Sequence, residues 1–128
     1  MNTRPLVSIC IPVYNKAGYI EETIRSVLSQ TYENWELIIC DNASTDGTVE
    51  VIEKYLSDKR IVLYKNEKNM GLAYNFHKVF GLATGKYQKM LFADDIIYPT
   101  CLEEQVAVLE DPSNLHVVLS IVGRSIIR

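Results

Sequence analysis

Apolar positions along the chain follow two rhythms. Short, mostly apolar runs occur at 7–12, 35–40, 61–64, 87–92 and 117–122. Runs of this length, β-branched at Val7, Ile9 and Ile11 and bounded by turn residues, predict buried strands. Between them, apolar side chains recur every three or four residues. Ile20, Ile24, Val27 and Leu28 form one face of a helix over 17–30. Val49, Ile52, Tyr55 and Leu56 mark a second helix, with Ser44 or Thr45 placed to cap it. Leu72, Phe76, Val79, Phe80 and Ala83 mark a third, which stops near Gly85. Leu102, Val106 and Leu109 fall in register over 100–110, and Asp111-Pro112-Ser113-Asn114 is a turn.

The order is therefore β-α-β-α-β-α-β-α-β. Strands apolar on both faces that alternate with helices predict an α/β fold: a mostly parallel sheet, helices on both faces, Rossmann-like. No repeat, linker or low-complexity segment divides residues 1–128, so a single domain is expected. Apolar residues continue to Ile126-Ile127-Arg128, the pattern of a chain cut short or of a terminal strand that pairs with something else.

Composition narrows the class. Of the 128 residues 48% are hydrophobic and 23% charged, as in an ordinary soluble domain. The net charge is −3 and the arginines form no run, so nucleic acid is not an expected partner. Cys10, Cys40 and Cys101 are too few and too widely spaced for a disulfide framework or a zinc knuckle. They read as small buried hydrophobes in a reducing compartment. No stretch approaches the roughly 20 apolar residues of a membrane span, and no signal peptide is visible. The expectation is a cytoplasmic protein, peripheral to a membrane only through segments outside this chain. Asn42-Ala43-Ser44 has the form of a glycosylation sequon, which carries no meaning in that compartment.

Polar residues cluster where strands end. The first run leads into Pro12-Val13-Tyr14-Asn15, the second into Asp41-Asn42-Ala43-Ser44, the third into Asn66 and Asn69-Met70-Gly71, the fourth into Asp94-Asp95. In an open parallel sheet, ligands bind outside the carboxyl ends of the strands. If the first strand lies between the second and fourth, three of these clusters meet in one crevice. Asp94 and Asp95 then suit a hard cation such as Mg2+ or Mn2+. Taken alone, however, the doublet fits a helix cap and a solvated acid more readily. Asp41, acceptor-only, suits a ligand N–H such as N3–H of uracil, or else a turn. Tyr14 can stack on a base or pack on the next helix. Lys16 sits in a turn that suits phosphates, or is simply solvated.

Other site types fail on spacing. Gly81-Leu-Ala-Thr-Gly85-Lys86 lacks the phosphate-loop pattern and precedes a strand. No G-x-G-x-x-G follows the first strand. His77 and His116 have no Cys or His at ligand spacing. A receiver domain would carry its acidic pair after the first strand, where this chain has Pro-Val-Tyr-Asn.

Two long segments, VSICIPVYNKAGYIEETIRSVLSQTYENWELIICDNASTDGT and NMGLAYNFHKVFGLATGKYQKMLFADDIIYP, closely resemble family 2 glycosyltransferases, which use nucleotide sugars and have a GT-A fold. The resemblance spans roughly residues 6–110, with several motifs in order. It implies an inverting enzyme that transfers a sugar from a nucleotide diphosphate, a UDP-sugar by preference, to a saccharide or lipid-linked acceptor. It implies that Pro12, Tyr14 and Asn15 line the nucleotide pocket and that Asp41 binds the base. Asn69, Gly71 and Asn75 lead towards the diphosphate and sugar. Asp94 and Asp95 fall at the D-x-D motif, where a divalent cation, Mn2+ or Mg2+, holds the donor diphosphate; Asp94 thus serves both donor and metal. Two positions depart from the family: Phe92 replaces the first aspartate of D-x-D-D, and Tyr74 stands where arginine is frequent. The family's general base and acceptor residues are expected beyond Arg128, so no catalytic residue is assigned. The competing expectation is a non-catalytic nucleotide-binding fragment that self-associates, a homodimer through a sheet edge or an uncovered apolar face.

Overall fold

The computed structural model describes residues 4–114. Its elements are β1 (Val7–Val13), α1 (Ile20–Leu28), β2 (Trp35–Asp41), α2 (Thr48–Glu53), β3 (Ile61–Lys65), α3 (Leu72–Gly81), β4 (Tyr87–Met90) and α4 (Cys101–Glu110), then a 3-10 turn over Pro112–Asn114. The four strands form one parallel sheet in the order β3-β2-β1-β4. The first strand does lie between the second and fourth. The fifth strand expected over 117–122, His116 and the apolar terminus lie outside the described residues.

Side chains alternate across a strand, and here the alternation sorts the helices. Val7, Ile9, Ile11 and Val13 of β1 join Leu37 and Ile39 of β2 in one core with Ile20, Ile24 and Val27 of α1, Ile52 of α2, and Leu102 and Val106 of α4. The intervening positions Cys10, Ile38 and Cys40 pack with Val79 and Phe80 of α3 on the other face. Each fully buried Val, Leu or Ile contributes about 1.5–3 kcal/mol, so the larger layer carries most of the apolar stabilisation. Burial, helped by Glu36 and Cys40, pushes the Cys10 thiol up to about 12, and burial pushes Cys40 up to about 11. Both are packing groups rather than nucleophiles.

Several boundaries differ from expectation. Helix α1 starts at Ile20, not at 17, because residues 16–19 form a turn in which the Tyr19 and Ile20 N–H groups both reach Lys16 O, at 3.0 and 2.9 Å. Strand β4 stops at Met90. Leu91 N still donates to Cys10 O at 3.0 Å, and the chain then turns, Asp95 N donating to Phe92 O at 3.0 Å. Helix α2 is capped by neither Ser44 nor Thr45. Gly47, with φ of 94°, precedes it and has no side chain to cap it, and the first N–H of the helix, Thr48 N, goes to Asp46 Oδ1 at 3.1 Å.

At the amino-terminal edge of the sheet, Glu36 Oε2 accepts from Ser8 Oγ and, at 2.8 Å each, from Thr84 N and Thr84 Oγ1. Gly85 N donates to Ser8 Oγ at 2.8 Å. Burial pushes the Glu36 carboxyl up, but the bonds from Ser8 and Thr84 outweigh it and leave it below the usual range. A Cβ at Gly85 would stand 2.6 Å from Leu6 O, so no other residue fits this entry to β4. No helix among the described residues is long and apolar enough to cross a membrane.

Candidate functional site

The carboxyl ends of β1, β2 and β3 finish level, with Val13 paired to Asp41 and Asp41 to Lys65. The loops that leave them are stitched together. Asp41, 1% exposed, accepts from Ser44 N at 2.9 Å and from Ser44 Oγ. The same hydroxyl accepts from Asn15 N at 2.9 Å, and Asn15 Oδ1 accepts from Thr45 N at 2.8 Å. Lys16 N donates to Thr48 Oγ1 at 2.9 Å, and Ala17 N to Asp46 Oδ2 at 3.2 Å. Thr48 also donates to Asp46, through its hydroxyl and its N–H. The Thr48 hydroxyl, followed by the Ala17 and Thr48 backbone donors, holds the Asp46 carboxyl below its usual range despite some opposing desolvation. Two non-glycine residues here have positive φ, Asn15 at 50° and Ala43 at 65°. Such conformations cost of order 1–3 kcal/mol and survive only where the surroundings impose them.

A second network is made of asparagines. Asn42 Nδ2 donates to Asn69 Oδ1 at 3.0 Å and to Gly71 O at 3.2 Å, while Asn42 Oδ1 accepts from Asn66 Nδ2 and from Met70 N. Asn66 Nδ2 also reaches Asn75 Oδ1 at 3.0 Å, and Asn75 Nδ2 donates to Cys40 O at 2.7 Å. Lys78 Nζ closes the set on Asn66 Oδ1. Asn69 Oδ1 accepts from Gly71 N at 2.8 Å, and Gly71 turns the chain into α3 at φ 88°. The Asn42 amide is thus inside the fold, so the sequon is closed by structure as well.

Between these networks lies a cavity of about 230 Å3 lined by Pro12, Val13, Tyr14, Asn42, Asn69, Leu72 and Asn75. Four of the residues picked from sequence border it: Pro12, Tyr14, Asn69 and Asn75. Asn15, Asp41 and Gly71 shape the surrounding loops instead. Tyr14 is half-exposed, whereas Asn75 is buried with both ends of its amide engaged.

The Asp94–Asp95 turn is held differently. Thr23 Oγ1 lies 3.0 Å from Ala93 O and 2.6 Å from Asp95 O. Ser26 Oγ accepts from Ile97 N at 3.2 Å, and Gln30 bonds both Tyr98 O and Leu102 N. Thr23, Ser26 and Gln30 thus form a polar ledge beside the apolar stripe of α1, and every bond they make to this segment is to its backbone. The side chains of Asp94 and Asp95 stay exposed. Lys16 Nζ approaches Asp94 Oδ2 at 3.8 Å. Among the described residues no group of three or more His, Cys, Asp or Glu side chains is placed to hold a metal.

The sequence model of glycosyl transferase family 2 matches residues 8–127. The chain belongs to glycosyl transferase family 2. EpsE of Bacillus subtilis (strain 168), which carries a glycosyltransferase name, is 42% identical over 120 residues, 92% of this chain and 43% of EpsE. TuaG of the same organism, named for teichuronic acid biosynthesis, is 40% identical over 113 residues, 88% of this chain and 45% of TuaG. This family 2 chain therefore spans less than half the length of these relatives. Among solved structures, residues 1–349 of TarS from S. aureus in complex with UDP give a TM-score of 0.77 at 26% identity, covering 82% of this chain and 32% of that one. The mannosyltransferase PcManGT from Pyrobaculum calidifontis, in complex with GDP-Man and Mn2+, gives 0.76 at 29% identity, covering 87% and 34%. The GT-A architecture expected from the motifs is the architecture of these neighbours.

Sequence reasoning took Ser44 for a helix cap rather than a partner of Asp41 and Asn15, and did not single out Asp46 and Thr48 or the Thr23-Ser26-Gln30 ledge. The ledge has a readable sign, polar residues at i, i+3 and i+7 beside an apolar helix face. The loop stitches have none beyond the abundance of Asn, Ser, Thr and Asp at strand ends.

Proposed function

We propose that this family 2 chain carries the donor site of an inverting glycosyltransferase, one that takes a sugar from a UDP-sugar and passes it to a saccharide or lipid-linked acceptor. The observation that carries the reading is the convergence, on one sheet edge, of the Tyr14 cavity and the exposed Asp94–Asp95 turn. In support, one structural neighbour is complexed with UDP and another with GDP-Man and Mn2+. Tyr14 offers a ring for a base to stack on. Asp41, which accepts from Ser44 N and Ser44 Oγ, keeps acceptor capacity for a base N–H. Asn15, Gly71 and Asn75 position these groups rather than touch the donor.

The donor set at the acidic turn fits a hard divalent cation: two exposed carboxylates, with water and diphosphate oxygens left to complete the shell. Asp94 and Asp95 would hold it, without the aspartate that Phe92 replaces. When bound, the cation neutralises charge on the leaving diphosphate. A place at the membrane surface and a second copy as partner belong to the same proposal only as consequences of segments outside the described residues.

Calorimetry with UDP, with and without Mn2+, tests the reading. Binding is expected to need the metal, and to fall about tenfold or more in Asp94→Ala or Asp41→Ala, the loss of one charged hydrogen-bonding group. Equal binding without metal in a well-folded sample would sink it. Titrations with GDP, CDP and dTDP read the base preference.

A further inference from the structure

The donor reading assigns Lys16 no contact, yet its ammonium approaches the acidic turn. Its backbone is fixed on both sides: N–H on Thr48 Oγ1, and C=O accepting from Tyr19 and Ile20. Its side chain is not. Nζ stands 3.8 Å from Asp94 Oδ2 and 5.9 Å from the centre of the Tyr19 ring, with the lysine and aspartate side chains 41% and 48% exposed. An ion pair this long and this wet is weak, so the ammonium leaves at little cost. While it stays, it occupies one approach to the carboxylate that the donor reading gives to a divalent cation, and the two positive charges repel.

We propose that Lys16 is a built-in stand-in for the divalent cation, and that it makes metal binding and nucleotide binding cooperative. The inference rests on the donor-site reading above. Without nucleotide the ammonium offsets part of the Asp94 charge and competes with free metal. A nucleoside diphosphate brings anionic oxygens to the same place, and the ammonium transfers to them, a charge-assisted contact. The nucleotide thereby removes the metal's competitor. By linkage, metal and nucleotide tighten each other by the same factor.

The test is a titration of the 128-residue chain with Mn2+, read from the electron spin resonance of the free ion, without nucleotide and with saturating UDP. Wild type, Lys16→Gln, Lys16→Arg and Asp94→Asn are compared, with thermal melts to confirm that all are folded. Lys16→Gln is expected to bind Mn2+ about three- to tenfold more tightly without UDP. With UDP it is expected to bind about three- to tenfold more weakly. Its coupling factor should thus drop by roughly tenfold or more, and Lys16→Arg should keep the wild-type coupling. Lys16→Gln binding free Mn2+ no more tightly than a wild type that binds Mn2+ with UDP overturns the inference and leaves the donor site standing. A wild type that binds no Mn2+ with UDP, or an Asp94→Asn that binds it equally well, overturns the donor site and the inference together.

Discussion

On the β2–β3 side of the crevice, polar side chains turn inward. Asp41, Asn42 and Asn75 are 1%, 3% and 1% exposed, and each bonds the loops or the strand beside it. On the β4 side the arrangement is reversed. There the backbone is held, by Thr23, Ser26 and Gln30, and the carboxylates of Asp94 and Asp95 face solvent. The same residue types serve as mortar in one region and as a presented surface in the other. A rigid wall and an accessible pair of ligands are complementary needs of a site that must hold a flexible, charged molecule. The difference also separates stability from binding: it says which substitutions should unfold the chain and which should leave it folded and unable to bind.

Asn75→Ala should have the largest effect, a loss of about 2–4 kcal/mol in urea unfolding, because it strands Cys40 O and part of Asn66 in a buried place. A loss under 0.5 kcal/mol would mean that the inward network is ornamental, and the contrast would fail. Thr23→Val keeps the side chain's shape and removes the hydroxyl shared by two carbonyls. It should cost about 1–2 kcal/mol and should speed amide exchange over 93–97, so it probes the ledge without touching a carboxylate. Asp94→Asn should change stability least, by no more than about 0.5 kcal/mol, while removing metal-dependent UDP binding. A large destabilisation there would show that the acidic turn is mortar too.

Much of the framework was legible in the chain. Apolar runs marked the strands and period-3.6 stripes marked the helices, while the place of β1 between β2 and β4, only a condition for one crevice in the sequence reading, is what the order β3-β2-β1-β4 supplies. What pattern could not supply was direction. Asparagine donates and accepts equally well to backbone, to another side chain or to a ligand, so nothing in the letters says that Asn75, at the same cavity wall as Asn69, has both ends of its amide taken by Asn66 and Cys40 O. Nor could the caps of α2 be read: Ser44 is a good capping residue, but Asp41 and Asn15 compete for the same hydroxyl and hold it. The start of α1 was misplaced for a related reason, since the 16–19 turn uses the same carbonyl that would otherwise begin the helix.

The latch of Ser8, Glu36, Thr84 and Gly85 lies at the far edge of the sheet from every residue proposed to touch a ligand, yet it acts as a ruler for them. Strand β4 has only four residues, and it enters the sheet directly from Gly85. A slip of one residue there would carry the chain about 3.3 Å along the strand and exchange its two faces. The acidic turn would arrive late and reversed, with its carboxylates against α1 and its backbone in water. The placement of Asp94 is thus measured out from a glycine at the opposite edge of the sheet, and a sequence change at Gly85 would read, in a binding assay, as a fault in the donor site.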